Sequence, residues 1–295
     1  MLADSKCSGR VPAALLFALL ATGCGKPADE ATLPAAQGSA VEKADDTSAS
    51  EHSPGDVVGR NVTTDSLAYG EVGEQLVYGH FAFPEDMVDP LPAILVIHDR
   101  WGLNREIVEF GSRLASEGYI VLAIDLFGGS TASEPSAARD LELRVVEEPD
   151  LALANVRQAY RFVSDVAGAP SVGVLGFGFG GGWALNAAIA QPYDFAAIVS
   201  YYGQVNSDQD LLAPVAGPIL GLFAEDDRAV PVDSVRAFER ELEALDKDFE
   251  IVVYDDARRG FADTLMDDAY DQDIAARAWQ QTLEFLRAGF SRPAM

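Results

Sequence analysis

A glycine-rich run at residues 176–182 is the segment whose spacing relates most directly to chemistry. It reads Gly-Phe-Gly-Phe-Gly-Gly-Gly and follows an apolar, strand-like stretch. The spacing of Gly176, Gly178 and Gly181 satisfies the dinucleotide-binding pattern G-x-G-x-x-G. The frame from Gly176 to Gly180 also fits a nucleophile elbow, a tight strand-to-helix turn whose third residue attacks the substrate. Because that third residue is a glycine here, the pattern alone is ambiguous.

Two features of the neighbouring segments disfavour nucleotide binding. The next predicted strand, 195–202, runs into Gly203 without an acidic residue that could hold a ribose. Two buried strands also precede the glycine run, whereas the fingerprint normally follows the first strand of its domain. We therefore prefer the elbow interpretation, and nucleotide binding stays open as the less favoured alternative.

The segments around the glycine run alternate between strand-like and helix-like patterns. Near-continuous apolar runs between turn residues predict strands buried on both faces, and amphipathic stretches predict helices. The alternation predicts an α/β fold with a mostly parallel sheet, helices on both faces, and functional groups beyond the strands' C-terminal ends. The predicted strands are 76–83, 92–98, 119–126, 171–177, 195–202, 218–223 and 249–254, and the predicted helices are 104–117, 136–167 with a break near Pro149, 232–246 and 269–290.

The first 23 residues have the pattern of an export signal. Lys6 and Arg10 precede a ten-residue apolar run, 11–20, which is too short to span a bilayer as a helix. The segment 20–24, Leu-Ala-Thr-Gly-Cys, resembles a bacterial lipoprotein cleavage box, so Cys24 is expected to be lipidated. Ordinary cleavage near this point, with Cys24 incidental, is the alternative.

The residues after Cys24 predict how the folded part is attached. Residues 24–55 are polar and contain no Phe, Trp or Tyr, so they are expected to form a flexible acidic tether before a folded domain over 56–295. We therefore expect an exported lipoprotein that is held at the membrane through its lipid. Because Gly25 rather than Asp follows the cysteine, the resemblance favours the outer membrane or the periplasmic face in a Gram-negative host.

Charge and cysteine content exclude several classes of function. Lys and Arg total 21 against 47 Asp and Glu, a net charge of −26 that repels nucleic acid. The two cysteines are Cys7 and Cys24, so the predicted domain contains neither a thiol nucleophile nor thiolate metal ligands. The acidic run 225–227 is interpreted as a solvated loop rather than a cation site. No metal and no cofactor are therefore expected.

Six stretches in consecutive order resemble the dienelactone hydrolase family, whose members have an α/β-hydrolase fold. Together they lie within about residues 65–290. No single stretch is decisive, and the order of all six carries the resemblance. They are 96–104 (VIHDRWGLN), 119–126 (YIVLAIDL), 176–181 (GFGFGG), 199–203 (VSYYG), 220–231 (LGLFAEDDRAVP) and 254–263 (YDDARRGFAD).

The resemblance implies a site in which two of three catalytic groups have been replaced. The family's activity is the hydrolysis of carboxylic esters and lactones. Its acid is retained as Asp227, four residues before Pro231. Its nucleophile, a cysteine at the elbow, is replaced by Gly178. Its base, a histidine before Gly-Phe, is replaced by Arg259.

The resemblance also assigns supporting positions around the elbow. The backbone N–H groups of Phe179 and Arg100 would form the oxyanion hole, which requires no particular side chain. Asp99 corresponds to an acidic residue that partners the thiol in family members. Asp99 and Trp101 are expected to line the ligand pocket.

These replacements remove the means of covalent acyl transfer. Glycine offers no attacking atom, and arginine keeps its proton at any working pH, so it cannot act as a base. We therefore expect a catalytically impaired protein with a binding or scaffolding role. An ester or lactone hydrolase that uses unrecognised groups is the enzymatic alternative.

Arg259 is also considered as a ligand-binding residue. It is expected to form a bidentate ion pair with Asp227. With the helix N-terminus after Gly178, it would then bind a small anionic or carbonyl ligand, such as a carboxylate or phosphate. The alternative is that the ion pair only fills a vacated site.

The remaining nucleophile and base candidates are interpreted as structural. His98 is expected to be a hydrogen-bonded histidine of the core, and His80 a half-buried residue of an early strand. His52 falls in the predicted tether. Ser200 lies at the end of a strand rather than on an elbow.

Overall fold

Three continuous apolar segments form the centre of the sheet in the computed structural model, which describes residues 59–190 and 193–292. Every residue of β3 (Ala93–Ile97), β4 (Ile120–Ile124) and β5 (Val172–Phe177) is buried. Helices cover both faces of these strands, so neither face needs polar side chains. Continuous rather than alternating hydrophobicity is the consequence.

The sheet has eight strands in the order β1-β2-β4-β3-β5-β6-β7-β8. β1 pairs antiparallel with β2, β2 pairs antiparallel with β4, and all other neighbours are parallel. The C-terminal ends of six parallel strands therefore meet at one edge of the sheet. The other strands are β1 (Val62–Val72), β2 (Gln75–Pro84), β6 (Ile198–Tyr201), β7 (Ile219–Asp226) and β8 (Phe249–Arg258).

The helices form two layers around the sheet. The first and last helices bury their apolar faces in one core, and α2, α3, α4 and α6 contribute to the core on the opposite face. The predicted α/β-hydrolase fold is confirmed. The helices are α1 (Arg105–Ser116), α2 (Pro135–Glu147), α3 (Pro149–Arg161), α4 (Phe179–Ala190), α5 (Gln209–Leu212), α6 (Val232–Ala244) and α7 (Gln272–Phe290).

The structure differs from the sequence prediction in a few elements. The predicted helix 136–167 is two helices that meet at Pro149, as its expected break indicated, and it ends in a π turn at Phe162–Val166. The sequence analysis missed β1, which forms a hairpin with β2 around Gly73. It also missed the short α5. Both elements are largely polar, so their patterns carry little periodic signal.

The N-terminal predictions lie outside the described residues. These are the signal over 1–23, the lipidated Cys24, the tether over 24–55 and His52. Within residues 59–190 and 193–292, no helix is both long and apolar enough to cross a membrane.

Candidate functional site at the elbow

The turn between β5 and α4 has the geometry of the predicted elbow. Gly178 alone separates the two elements, and its φ is 51°. Its N–H donates to Tyr201 O at 2.9 Å, and its carbonyl accepts from Gly182 N at 3.2 Å. An L-residue with a side chain pays about 1–2 kcal/mol in this left-handed region. Glycine therefore makes the turn without backbone strain.

The glycines that follow the turn allow α4 to approach the sheet closely. A Cβ on Gly180 would lie 2.3 Å from the carbonyl oxygens of Ile97 and His98. A Cβ on Gly181 would lie 2.9 Å from Ser200 Oγ. Side chains at these positions would push the helix off the strands. Close packing of helix against sheet therefore explains the glycine run without a nucleotide phosphate.

Arg259 lies next to Gly178. Its Nη1 donates to Asp227 Oδ2 at 3.0 Å and to Tyr202 O at 2.5 Å. Its Nη2 lies 3.2 Å from the point that a Cβ on Gly178 would occupy. The structure therefore brings the three predicted positions 178, 227 and 259 together beyond the ends of β5, β7 and β8.

The ion pair between Arg259 and Asp227 is not bidentate, so that part of the prediction is wrong. A single nitrogen, Nη1, contacts a single oxygen, Oδ2. The other carboxylate oxygen accepts from the backbone N–H groups of Ala229 (2.8 Å) and Val230 (3.0 Å), which fix the carboxylate in its loop. The Asp227 side chain is 1% exposed and that of Arg259 is 30% exposed. Arg259 therefore neutralises a buried charge and keeps Nη2 available towards the elbow.

The two predicted oxyanion donors keep their N–H groups available. Phe179 is the first residue of α4, and Arg100 lies in the loop after β3. Neither backbone N–H donates to another group among residues 59–190 and 193–292. The Arg100 side chain instead extends towards α2, where its Nη2 lies 3.6 Å from Glu142 Oε2. Arg100 thus contributes to the site through its backbone.

Asp99 also lies beside the elbow. Its Cβ is 3.7 Å from the position of a Cβ on Gly178, and its Oδ1 accepts from Trp101 N at 2.7 Å. Burial raises the pKa of Asp99 to about 6, although this hydrogen bond and the positive charges nearby oppose the shift. Trp101 positions Asp99 through its backbone, while its ring packs against the Arg100 guanidinium at 5.5 Å.

A cavity of about 30 Å³ opens beside Asp99, and the sequence analysis did not identify it. Burial, and after it the carboxylates of Glu106 and Asp99, raises the pKa of Asp263 to about 8. Asp263 is the last residue of the 254–263 stretch, so its position was visible in the sequence. Its raised pKa was not, because it depends on neighbours that only the fold brings together. The cavity is lined by Asp99, Asn104, Glu106, Ile107, Phe110, Phe177, Tyr202, Ala262 and Asp263.

His98 is a structural residue, as predicted. It is fully buried, its Nδ1 donates to Asp99 O at 2.7 Å, and its Nε2 accepts from Leu126 N at 3.1 Å. These partners require the neutral Nδ1–H tautomer. Ser200 is also fully buried, beneath Gly181, and cannot reach a ligand. In the described part of the chain, no group of His, Cys, Asp and Glu is arranged to hold a metal ion.

The sheet order, the strand-to-helix elbow and the acid after β7 define an α/β-hydrolase. Comparison with known proteins then gives the family: residues 77–290 match the model of the "Dienelactone hydrolase family". The chain therefore belongs to the dienelactone hydrolase family. The match spans every described part of the site, from β3 to the loop after β8.

Individual relatives agree with this assignment. A "Putative carboxymethylenebutenolidase" of Escherichia coli (strain K12) is 29% identical over 223 residues, covering 70% of this chain and 81% of the relative. The crystal structure of a "Putative Dienelactone Hydrolase" from Klebsiella pneumoniae has a TM-score of 0.66 at 24% identity, covering 77% and 99%. The crystal structure of a dienelactone hydrolase-like promiscuous phosphotriesterase from metagenomic libraries has a TM-score of 0.68 at 22% identity. This match covers 77% of this chain and 98% of that protein. At these identities the structures establish the fold.

The raised pKa of Asp263 predicts a pH-dependent stability. A folded-state pKa of about 8, above an unfolded value of about 4, means that this group's contribution is lost as pH rises towards 8. The substitution Asp263→Asn removes this loss. The difference between the melting temperatures of the variant and wild type should therefore increase from pH 5 to pH 8 and stay constant above pH 8.

Thermal melts followed by circular dichroism at pH 5, 6, 7, 8 and 9 measure this difference. The matched control is Asp140→Asn on the exposed surface of α2, whose difference from wild type should not vary with pH. A constant difference for Asp263→Asn across the series would contradict the assignment of a protonated, buried carboxyl group.

Proposed function

We propose that this dienelactone hydrolase family protein binds a small molecule through a carboxylate or carbonyl oxygen at the elbow, without forming an acyl-enzyme. One observation carries the proposal: Arg259 Nη2 lies 3.2 Å from the position of a Cβ on Gly178. A hydrogen-bond donor thus faces the place from which a nucleophile would attack. The site is arranged to hold an electron-rich oxygen there.

The chemistry of the three catalytic positions supports the absence of an acyl-enzyme. Gly178 has no side-chain atom to form the covalent bond, and the chain has no cysteine after Cys24. The acid Asp227 pairs with a guanidinium that keeps its proton. The proton relay of acid, base and nucleophile is therefore interrupted at two of its three members.

The remaining donors support the proposed oxygen-binding position. The 12-residue helix α4 begins directly after Gly178, and its N-terminus has a partial positive charge. The N–H groups of Phe179 and Arg100 and the Nη2 of Arg259 add directed hydrogen bonds. The net charge of −26 acts mainly at long range, and salt screens it beyond about 8 Å at physiological ionic strength. Local donors therefore determine what binds.

Restoring the replaced groups should restore hydrolysis. In Gly178→Cys combined with Arg259→His, turnover of 4-nitrophenyl acetate should exceed that of either single variant by at least about 100-fold, because a base and a nucleophile must act together. Wild type should stay at the buffer rate and form no adduct with a mechanism-based lactone probe detected by mass spectrometry.

The control adds Asp227→Asn to the double variant, which should reduce the restored rate because the new histidine loses its partner. A covalent adduct on wild type would overturn the proposal. Wild-type turnover abolished by Asp99→Asn would instead favour direct attack by water, since a carboxyl group with a pKa of about 6 can act as a base near neutral pH.

The oxygen-binding role predicts weak carboxylate binding that depends on Arg259. Propionate, titrated by calorimetry, should bind wild type and lose at least about tenfold in affinity in Arg259→Met, because a charge-assisted hydrogen bond is removed. Arg228→Met, which removes an exposed charge one residue after Asp227, is the matched control and should bind normally. Equal affinities of Arg259→Met and wild type would refute the role of the guanidinium.

We also propose that the protein is exported and anchored through lipid on Cys24. The proposal is supported by the apolar run before that cysteine and the resemblance of residues 20–24 to a lipoprotein box. Expressed with its own N-terminus in a Gram-negative host, the protein should fractionate with membranes, and Cys24→Ala should move it to the aqueous phase. Fractionation unchanged by the substitution would exclude the anchor.

A further inference from the structure

The cavity beside the elbow contains a buried hydroxyl without a partner. Tyr202 is 2% exposed, and its hydroxyl oxygen forms no hydrogen bond within residues 59–190 and 193–292. Leaving such a group unpaired costs about 1–3 kcal/mol relative to a satisfied one. Its ring lines the cavity, and the hydroxyl is within electrostatic reach of Asp99 and Asp263. The hydroxyl therefore has unused hydrogen-bonding capacity in a residue that lines the cavity.

Three carboxyl groups line the cavity, those of Asp99, Glu106 and Asp263, and two of them are fixed by backbone hydrogen bonds without a counter-ion in the described ranges. Asp99 and Asp263 form no ion pair with any basic residue of the described ranges. Each has an oxygen held by the backbone, from Trp101 N (2.7 Å) and Leu265 N (2.9 Å) respectively. The carboxyl groups are therefore fixed in place. A cation between them would stabilise their charged forms and so oppose the burial that raises the pKa of both.

The size and the apolar wall of the cavity select the kind of cation. A volume of about 30 Å³ accommodates a group about the size of one water molecule. Phe110 and Phe177, which pack edge to face with centroids 4.7 Å apart, form part of the lining. Aromatic rings stabilise an ammonium group by cation–π attraction. An ammonium also offers three donors, which matches two carboxyl groups and one hydroxyl.

Two residues that line the cavity also lie beside the elbow. Asp99 Cβ and Tyr202 Cδ2 lie 3.7 and 3.8 Å from the position of a Cβ on Gly178, and both residues line the cavity. A carboxylate at the elbow alone would meet the negative charge of Asp99. A ligand that carries its own ammonium would neutralise that charge.

From this geometry we propose that the cavity between Asp99, Asp263 and Tyr202 binds the ammonium group of a ligand whose carboxylate lies at Arg259. The ligand class is a small amino acid. The proposal rests on the proposed oxygen-binding role of the elbow and extends it by a second recognition site. It requires no covalent step, because both groups are recognised through hydrogen bonds and charge.

Binding of a cation at this position must be coupled to proton release. Asp263 is faced by Glu106 and Asp99, and Tyr202 is faced by Asp99, Asp263 and Arg259. With a pKa of about 8, Asp263 carries a proton at neutral pH, and the ammonium displaces that proton. Affinity for the amino acid should therefore rise with pH up to about 8. Below that pH, binding of the amino acid should release up to one proton.

Calorimetric titration of the wild-type protein with alanine, propionate and ethylamine tests the proposal. These three probes carry both charged groups, the carboxylate alone and the ammonium alone. At pH 8.5 alanine should bind at least about tenfold more tightly than propionate, since charge-assisted hydrogen bonds are added. Between pH 6.5 and 8.5 alanine keeps its ammonium proton, and titrations in buffers of different ionisation enthalpy measure the protons released.

Conservative variants separate ligand binding from folding. The variant Asp263→Asn keeps a side-chain oxygen that can accept from Leu265 N. It should bind alanine at least about tenfold more weakly, and the affinity should no longer depend on pH. Tyr202→Phe removes a hydroxyl without a partner in the described structure, so the variant should fold normally but bind alanine several-fold more weakly. Asp140→Asn, on the exposed surface of α2, should bind like wild type.

The outcomes distinguish this proposal from the one on which it rests. Equal affinities for alanine and propionate, with Asp263→Asn unchanged, would overturn the ammonium site and leave the carboxylate site intact. Ethylamine binding that depends on Asp263, together with alanine binding that does not depend on Arg259, would support the ammonium site and overturn the carboxylate site.

Discussion

A permanently charged guanidinium beside a left-handed glycine constrains everything else in this site. Arg259 neutralises Asp227, which is almost completely buried and cannot be left without a partner. The same side chain then places a second nitrogen next to the position from which a nucleophile would project. One residue thus lies at the predicted position of the base, pairs with the buried acid and introduces a donor, and the proposed site for an electron-rich oxygen rests on these contacts.

The scaffold around this contact is retained because its requirements are independent of catalysis. The elbow needs a residue with positive φ, and glycine meets that need more easily than cysteine. The following glycines let α4 approach the carbonyl groups of Ile97 and His98. Backbone N–H groups at the start of α4 face the site whatever side chains surround them. A glycine at position 178 is therefore compatible with the fold.

The acidic side of the site complements the cationic side. Burial raises the pKa of Asp99 and Asp263, and the hydroxyl of Tyr202, which lines the same cavity, has no hydrogen-bond partner among the described residues. Positive and negative groups are separated across the space that the absent side chain vacates. Membership of the dienelactone hydrolase family thus fixes the fold and the location of the site, while a few side chains determine which molecules it accepts.

Much of this protein follows from its sequence alone. Continuous apolar runs identified the buried strands, and the glycine frame identified the elbow, because both features depend on local pattern. The sequence also determined that position 178 has no side-chain atom and that position 259 has a guanidinium, since these are properties of the side chains themselves. Tertiary structure decided the rest. The single-point contact of Arg259 with Asp227 depends on backbone donors at Ala229 and Val230 that occupy the other oxygen. The cavity and the raised pKa of Asp263 arise because the loop after β3, helix α1 and the loop after β8 bring distant carboxyl groups together in a buried place.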